Sequence, residues 1–386
     1  MFIELHLLQN FAPSNLNRDD TGSPKDCTFG GFRRARISSQ CLKRAIRSHF
    51  SERNLVTSGD LAVRSKRIAD QIAEKLVAAG TKPEDAMVAA RGVLTAAGIG
   101  FKDDKSQYLV YFGNDEIAAL VAICGKHLPA LLASAKPEDK PADEQNGKKS
   151  KKAAKKDAKD AVGKEVQEEV AAAIGSGRAV DLALFGRMLA DIPEKNVEAA
   201  CQVAHAISVN EVEMEMDFYT AVDDLRPEDT QGADMMGMIE FNSSCFYRYA
   251  KLDLAQLAKN LGDPAKVRGA ARAFVQSAIE AIPTGKQNSM AAHNPPSYVR
   301  VLVREGGEAW NLANAFLGPV RVARRSDGDL VKLAIDKLEA HFAALRRMYG
   351  GADPANDWKA SLLEADSLSV PAILENLDRT LSESRQ

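Results

Sequence analysis

The order of hydrophobic patterns predicts an α+β fold, on three observations. Phe2 to Gln9 alternates Ile3, Leu5 and Leu7 with Glu4 and His6, the pattern of a half-buried strand. After Ser38 the apolar period switches to that of a helix. Strand patterns return beyond residue 200 and over Ser297 to Glu305, separated by helical ones over Asp253 to Leu261 and Ala265 to Ile282. Strands and helices in this order, with pairing between distant strands, fit a ferredoxin-like (RRM-like) core carrying a helical insertion.

The chain has 386 residues, enough for a substantial core and for more than one domain or a large insertion. Its formal net charge is only -2, so an argument for an anionic partner has to rest on clustering of cations. Five cysteines (Cys27, Cys41, Cys124, Cys201, Cys245) are widely spaced with no CxxC pair. That argues against a zinc site or a disulfide framework and suits a reducing cytoplasm. No signal-peptide pattern and no membrane-length apolar run is present, so a cytoplasmic location without a membrane partner is expected.

His6, alone on the first strand, is expected to be structural rather than catalytic. Pro13 to Phe32 reads as a loop of Asn, Asp, Gly and Pro that carries Arg18 and Lys25. Asp19, Asp20 and Asp26 lie there without a supporting His or Glu cluster, so salt bridges to local arginines are expected before a metal. The pair Gly30-Gly31 opens a run holding Arg33, Arg34 and Arg36.

Ser38 and Ser39 are N-cap candidates for the helix that follows, since a serine oxygen satisfies an orphan backbone N–H. Leu42, Ala45, Ile46, His49 and Phe50 form its apolar stripe, with Gln40, Lys43, Arg44 and Arg47 opposite. The helix start adds free N–H groups and partial positive charge, so Ser38, Ser39, Gln40, Lys43 and Arg44 make a candidate phosphate cradle. Taken alone, the same face serves equally as a solvated surface. The neighbouring arginines favour an anionic partner, because clustered like charges repel unless neutralised.

From about Leu61 to Val180 alanine-rich helical patterns dominate, over Leu61 to Ala79, Pro83 to Ala97, Asp115 to Ala135 and Glu165 to Ala173. Within them residues 136–164 form a lysine-rich, low-complexity segment that cannot bury a core, an exposed linker or solvated helix.

Val212, Met214 and Met216 alternate strictly with Glu211, Glu213 and Glu215. Asp217-Phe-Tyr-Thr, a polar loop through Pro227 and Gly232, and Met235 to Phe241 follow. This predicts a long hairpin arm whose methionine and aromatic side chains, where exposed, mark a partner surface. Cys245 to Leu252 carries Phe246, Tyr247 and Tyr249, which strand propensity explains better than base stacking. Lys286 lies in a loop over Pro283 to Pro296, and the rest of the chain is mainly helical.

These motifs carry a family resemblance. Leu16-Asn-Arg-Asp-Asp, Phe29-Gly-Gly, Arg33-Arg-Ala-Arg-Ile-Ser-Ser-Gln and Leu42-Lys-Arg-Ala resemble the CasC (Cse4) family. So do Gly186-Arg-Met, Ala204-His-Ala-Ile, Phe218-Tyr-Thr-Ala-Val-Asp-Asp-Leu, Phe246-Tyr-Arg-Tyr-Ala and Gly285-Lys-Gln. The likeness is weak over the helical insertion and the C-terminal part. That family is the crRNA-binding backbone subunit of the type I-E CRISPR Cascade complex, which acts in antiviral defence. The resemblance implies an RRM-like palm over 1–58, 181–210 and 243–386 with C-terminal helices, helical fingers over 59–180, and a β-hairpin thumb over 211–242. It implies as partners a CRISPR guide RNA, further copies of the chain joined head to tail, other Cascade subunits and a target DNA strand, and it implies no cofactor, metal or catalytic residue.

By the same resemblance Arg18, Ser38, Gln40, Lys43, Arg44 and Arg47 grip the guide backbone. Met188 packs against a displaced base, and Phe218, Tyr219 and Thr220 wedge beside bases. Lys25 faces the target DNA, and Lys286 is a further RNA contact. Two departures stand out: Phe218 where the family commonly has Trp, and Phe32 where it often has a basic residue. A grip on phosphates without base readout is independent of sequence, as a variable guide requires. The alternative from another class is a metal-dependent ribonuclease subunit of a CRISPR effector, using Asp19, Asp20 or Asp26. Lacking a metal-ligand cluster or acid–base pair, it ranks below the non-enzyme reading. A third reading is a scaffold that self-associates without RNA.

Overall fold

The computed structural model describes residues 1–102, 105–134, 162–175, 178–220, 236–322, 329–350 and 354–383. The first half of the described chain runs β1 (Phe2–Ser14), β2 (Asp26–Phe29), β3 (Phe32–Ile37), α1 (Ser39–Glu52), β4 (Ala62–Ser65), α2 (Ile68–Ala78), α3 (Pro83–Ala96), β5 (Phe101–Lys102), β6 (Lys105–Ser106), β7 (Val110–Gly113), α4 (Asn114–Lys126), α5 (Leu128–Ser134), α6 (Lys164–Ala173) and α7 (Val180–Phe185). It continues with β8 (Cys201–Val203), β9 (Ala206–Ser208), β10 (Glu215–Thr220), β11 (Met236–Asp253), α8 (Leu254–Leu261), α9 (Pro264–Glu280), α10 (Gln287–Met290), β12 (Tyr298–Arg304), α11 (Leu330–Tyr349), β13 (Asn356–Ser361) and α12 (Val370–Glu383). Two compact units result: Met1–Leu55 with Cys201–Ala255 and Ala265–Gln386, and Val56–Ala200 with Gln256–Pro264.

The first unit is α+β, as expected. Its antiparallel sheet has the order β13-β12-β1-β11-β9-β3-β2, with β8 and β10 also paired to β11. β1 lies at the centre, Leu5 facing Ala250 on one side and Val301 on the other. Taken in chain order, β1, α1, β8 with β9, β11, α9 and β12 make a β-α-β-β-α-β unit with β12-β1-β11-β9 as neighbours.

Both faces of this sheet are covered. Leu8, Tyr247, Tyr249, Tyr298 and Leu302 point to one side, where Phe316, Ile335, Leu338 and Phe342 pack on them. On the other side Phe11, Ile37 and Phe246 meet Leu42 of α1. There α9 lies beside α1, with His49 Nδ1 3.0 Å from Ser277 Oγ. β1 is therefore buried on both faces rather than half-buried, and Glu4 and His6 lie inside. Both carboxylate oxygens of Glu4 and one ring nitrogen of His6 have partners, while His6 Nε2 has none among the described residues. Glu4 accepts from Arg304 Nε at 2.6 Å, Tyr249 Oη at 3.0 Å and the Trp310 N–H at 2.8 Å. His6 Nδ1 lies 2.9 Å from Tyr247 Oη. Burial, with Arg300 and Arg304 adding to it, pushes the His6 imidazole down to about 3, so the ring is neutral. His6 is structural, and Phe246, Tyr247 and Tyr249 are core residues unable to stack bases.

The stretch read as a loop over Pro13 to Phe32 is shorter than expected. β1 runs to Ser14, and Asp26–Phe29 forms a hairpin with β3. Its turn is Gly30-Gly31 with φ of 62° and 84°, the left-handed pair that a two-residue hairpin loop needs. A Cβ on Gly30 would overlap the Leu317 carbonyl, so the close approach also requires glycine.

The second unit is mainly helical. Ile72, Ala86, Ala89, Ala90, Val93, Leu120 and Val170 build its core, the alanines letting the helices approach closely. The pattern read as one helix over Leu61 to Ala79 is instead β4 followed by α2 from Ile68, with β4 paired to β7. Residues 181–200, expected with the sheet, cluster in this unit. The lysine-rich segment lies outside the described residues up to 161, as does the hairpin tip over 221–235. Among the described residues no single helix is long and apolar enough to cross a membrane. All five cysteines are free.

Candidate nucleic-acid interface

α1 begins as its sequence predicts. Ser38 is the N-cap, its Oγ accepting the Cys41 N–H at 3.3 Å. Leu42, Ile46, His49 and Phe50 are buried, while Gln40 and Arg44 are exposed and Lys43 and Arg47 half-buried. The cradle expected at the helix start is altered in detail. Ser38 is buried and spends its hydroxyl on the cap, and the Ser39 N–H donates to His205 Nδ1 at 3.1 Å. Two of the N–H groups that would meet a phosphate are thus engaged, which leaves the side chains of Gln40, Lys43 and Arg44 as the available donors. Arg47 already has an interaction partner within the fold.

Asn17 joins the pieces of this region. Its Oδ1 accepts the Ser38 N–H at 2.7 Å, and its carbonyl accepts the Lys25 N–H at 2.8 Å. Arg18, next in the chain, bridges to Pro24 and is exposed. Arg18 and Arg44 line one open cleft of about 720 Å³ with Ser48, His49, Glu52 and Gly285. A Cβ on Gly285 would overlap the Leu16 carbonyl, so glycine lets that loop lie on the Arg18 loop. Lys286 follows with φ of 52°, a left-handed conformation rarely adopted by a lysine. Lys25 is half-buried beside Arg36 and Phe246.

The arginine run divides by role. Arg33 is exposed and pairs with Asp26. Arg36 Nε donates to the Asp26 carbonyl at 3.1 Å. Arg34 is fully buried, and its guanidinium donates to the carbonyls of Ser208, Val209, Phe316 and Leu317 at 2.7–3.3 Å. It is a structural staple, not part of a cationic surface. Beside Arg36 the surface carries His205 as a polar neighbour, exposed, with Nδ1 to Nη1 at 3.5 Å. Burial first, then the charges of Arg36 and Lys25, push its imidazole below the ordinary range. Since Nδ1 accepts from Ser39, the neutral ring carries its proton on Nε2. Asn17 and His205 were missed in the sequence because neither sits in a charge cluster; each lay within a motif that carried the resemblance. At Phe32, Arg321 lies over the ring at 5.3 Å and so brings a cation from elsewhere in the unit.

The hairpin follows its predicted pattern, except that Val212 and Met214 pack on the core and the free part starts at Glu215. β10 pairs with β11, Phe218 opposite Met238 and Tyr219 opposite Gly237. Met216, Phe218 and Met238 are 66%, 58% and 72% exposed and share one face. Thr220 is exposed on that face too, and the Tyr219 ring lies against Gly237 on the other. An apolar strip so open on a two-stranded arm is a candidate contact surface.

In the helical unit Met188 is 80% exposed, on a turn described below. Asp19 Oδ1 accepts from the N–H groups of Thr21 and Ser23 at 2.9 and 3.0 Å and from Thr21 Oγ1 at 2.8 Å, which holds its carboxyl below the usual range. It caps its own loop instead of pairing with an arginine. His127, Glu165 and Glu169 bring possible metal-ligating atoms within 4.8 Å of one another. Lys126 Nζ already lies 2.5 Å from Glu169 and 3.8 Å from Glu165, so an ammonium occupies the place of a cation.

Fold and site together define an α+β protein with a rim of cations and an apolar hairpin. The chain belongs to the CT1975-like protein family, which it matches over residues 3–383. It is similar to a chain of a "CRISPR RNA-guided surveillance complex, pre-nicking", with 30% identity and a TM-score of 0.81, over 99% of this chain and 100% of that one. A chain of a second "CRISPR RNA-guided surveillance complex" shows 26% identity and a TM-score of 0.71, over 98% and 100%. No curated protein matches. The resemblance to a Cascade subunit read in the sequence is met by these likenesses.

Proposed function

We propose that this chain is a backbone subunit of a CRISPR Cascade surveillance complex, of the type I-E CasC kind, and that it binds guide RNA along its phosphates. The observation that carries this reading is the likeness over 99% of the chain, at 30% identity, to a chain of such a complex. The site supports it. Arg18, Gln40, Lys43, Arg44, Arg47 and Lys286 supply cations and donors on loops and one helix flank, with Ser38 setting the start of that helix. A grip on phosphates by such groups, without base readout, suits a guide of any sequence.

Met216, Phe218 and Met238 give the hairpin an apolar edge that enters between bases, with Tyr219 and Thr220 beside it. Such insertion costs a few kcal/mol of unstacking, offset by apolar contact with the exposed rings. Copies assemble head to tail on the RNA, the hairpin of one over the guide held by the next, and Met188 meets a displaced base. Lys25 faces the paired target DNA strand, and other Cascade subunits complete the assembly in the cytoplasm. In this reading the role is structural, without catalysis, which the pairing of Asp26 with Arg33 and the capping of its own loop by Asp19 support.

The test is binding of a labelled single-stranded RNA through a salt titration, for wild type and for Lys43→Ala/Arg44→Ala. A strong loss is expected, with the slope of log affinity against log salt shallower by about 0.7 for each phosphate contact removed. Unchanged binding in a folded variant overturns the assignment. Light scattering is expected to show ordered oligomers only with RNA present. Complementary RNA incubated with the assembled complex and a divalent metal is expected to stay intact; cleavage abolished by Asp26→Ala would establish the nuclease instead.

A further inference from the structure

The turn Gly186-Arg187-Met188 is built to hold one apolar side chain out in water. Met188 is 80% exposed, while Arg187 on one side and Leu189 on the other are buried. Gly186 has φ of 78°, and a Cβ there would fall 2.8 Å from the Val197 carbonyl oxygen and 2.9 Å from the Ala199 nitrogen. Only glycine lets the two limbs of this loop close. Arg187 and Val197 then exchange two backbone hydrogen bonds of 2.9 Å, and the Leu189 N–H donates to Asn196 Oδ1 at 2.6 Å.

The Arg187 side chain runs inward. Its Nη1 donates to the two Glu116 oxygens at 2.9 and 2.8 Å and to the Tyr111 carbonyl at 3.3 Å. Its Nε and Nη2 donate to the Lys195 carbonyl at 3.3 and 3.2 Å. One guanidinium therefore ties both limbs of the loop to the body of the unit. Glu116 is itself fixed, accepting the N–H groups of Gly113 at 2.8 Å and Gly175 at 2.7 Å. A pair this buried adds little stability over an apolar pair of equal volume, because desolvation offsets the attraction. What it does provide is a single geometry for the backbone under Met188.

We propose that Arg187 and Asn196 are positioning residues that hold Met188 in one orientation, so that its thioether meets a displaced RNA base without first losing loop freedom. The proposal rests on the assignment of Met188 to a displaced base made above. A wedge has to offset the cost of unstacking, and a loosely held methionine would add the entropy of ordering its loop to that cost. On this view the two residues act on the guide only through Met188.

The experiment assembles the full chain on guide RNA carrying 2-aminopurine at successive positions; its fluorescence rises where a base leaves the stack. Wild type is compared with Met188→Ala, Asn196→Ala, Arg187→Lys and the double variant Met188→Ala/Asn196→Ala. Total RNA affinity and thermal melting are measured alongside. Met188→Ala is expected to remove most of the periodic signal. Asn196→Ala, an exposed position, is expected to reduce the signal roughly fivefold, the equivalent of about one hydrogen bond, with the fold retained and melting lowered only slightly. Adding it to Met188→Ala is expected to do nothing further, the mark of one residue working through another. An equal loss with and without Met188, or no loss in either Asn196→Ala or folded Arg187→Lys, overturns the proposal. If Met188→Ala leaves the signal intact while RNA still binds, the assignment of Met188 itself fails, a different result from a failure of positioning.

Discussion

The Asn17 carboxamide oxygen accepts the Ser38 backbone N–H at 2.7 Å, joining the loop that bears Arg18 to the first turn of α1. Two cationic elements are thereby held in one register. Asn17→Ala removes the tie without emptying the core. We expect RNA affinity to fall roughly fivefold, from the loss of about 1 kcal/mol of positioning, with the fold retained by circular dichroism.

Arg34 and Arg44 are ten positions apart in a run that looks uniformly cationic. Arg34→Ala strips four carbonyls of a buried donor and is expected to destabilise the unit by roughly 3 kcal/mol. Arg44→Ala, at an exposed site, should leave stability within about 0.5 kcal/mol and weaken RNA binding instead. Denaturant melts and salt-titrated binding on the same two variants separate the roles.

Phe218 is 58% exposed, so Phe218→Ala should change melting little. Base stacking on an aromatic ring is worth about 1–3 kcal/mol, so the loss should appear in RNA binding and in assembly of successive copies. Phe218→Trp, with a larger ring, should bind more tightly. Equal binding by all three would remove the hairpin from the interface.

His6 is buried neutral, its pKa lowered to about 3 from 6.5. Protons then bind the unfolded chain more readily than the folded one. The stability this gives is fully present above pH 6.5 and is lost as pH falls toward about 3, at up to about 1.4 kcal/mol per unit. His6→Gln keeps a polar group near Tyr247 but cannot take up the proton. Its melting temperature should depend less on pH across that window, and an unchanged pH profile would refute the account.

Local features were legible in the sequence. The stripe of α1, its serine cap and the alternation along β10 each repeat within a few residues, and backbone geometry converts such repeats directly into faces. Distant partners were not legible. Arg34 looked like one more surface cation because its carbonyl partners lie 174 to 283 residues further along the chain. Glu4 and His6 looked like the wet side of a strand because α11, which with the turn before it covers that side, comes more than 300 residues later. β4 was hidden in an alanine-rich stretch, since a short strand needs its partner β7 to exist at all. In the site, Arg44 was legible from the polar face of its helix and Arg18 from motif likeness, but the hub between the Arg18 loop and that helix, Asn17, carries no charge to draw attention.

The burial of β1 on both faces separates what folds this protein from what it touches. Neither Phe2 to Gln9 of the strand nor the rings of Tyr247, Tyr249 and Tyr298 beside it reach solvent, so the outward groups lie on loops, edge strands, helix flanks and the hairpin. Contacts can then be exchanged one at a time, or a hairpin transplanted from a relative, without a new solution for the interior. Divergence among relatives is expected to gather at that periphery, and an engineered chain that changes its partners should keep the melting curve of its parent.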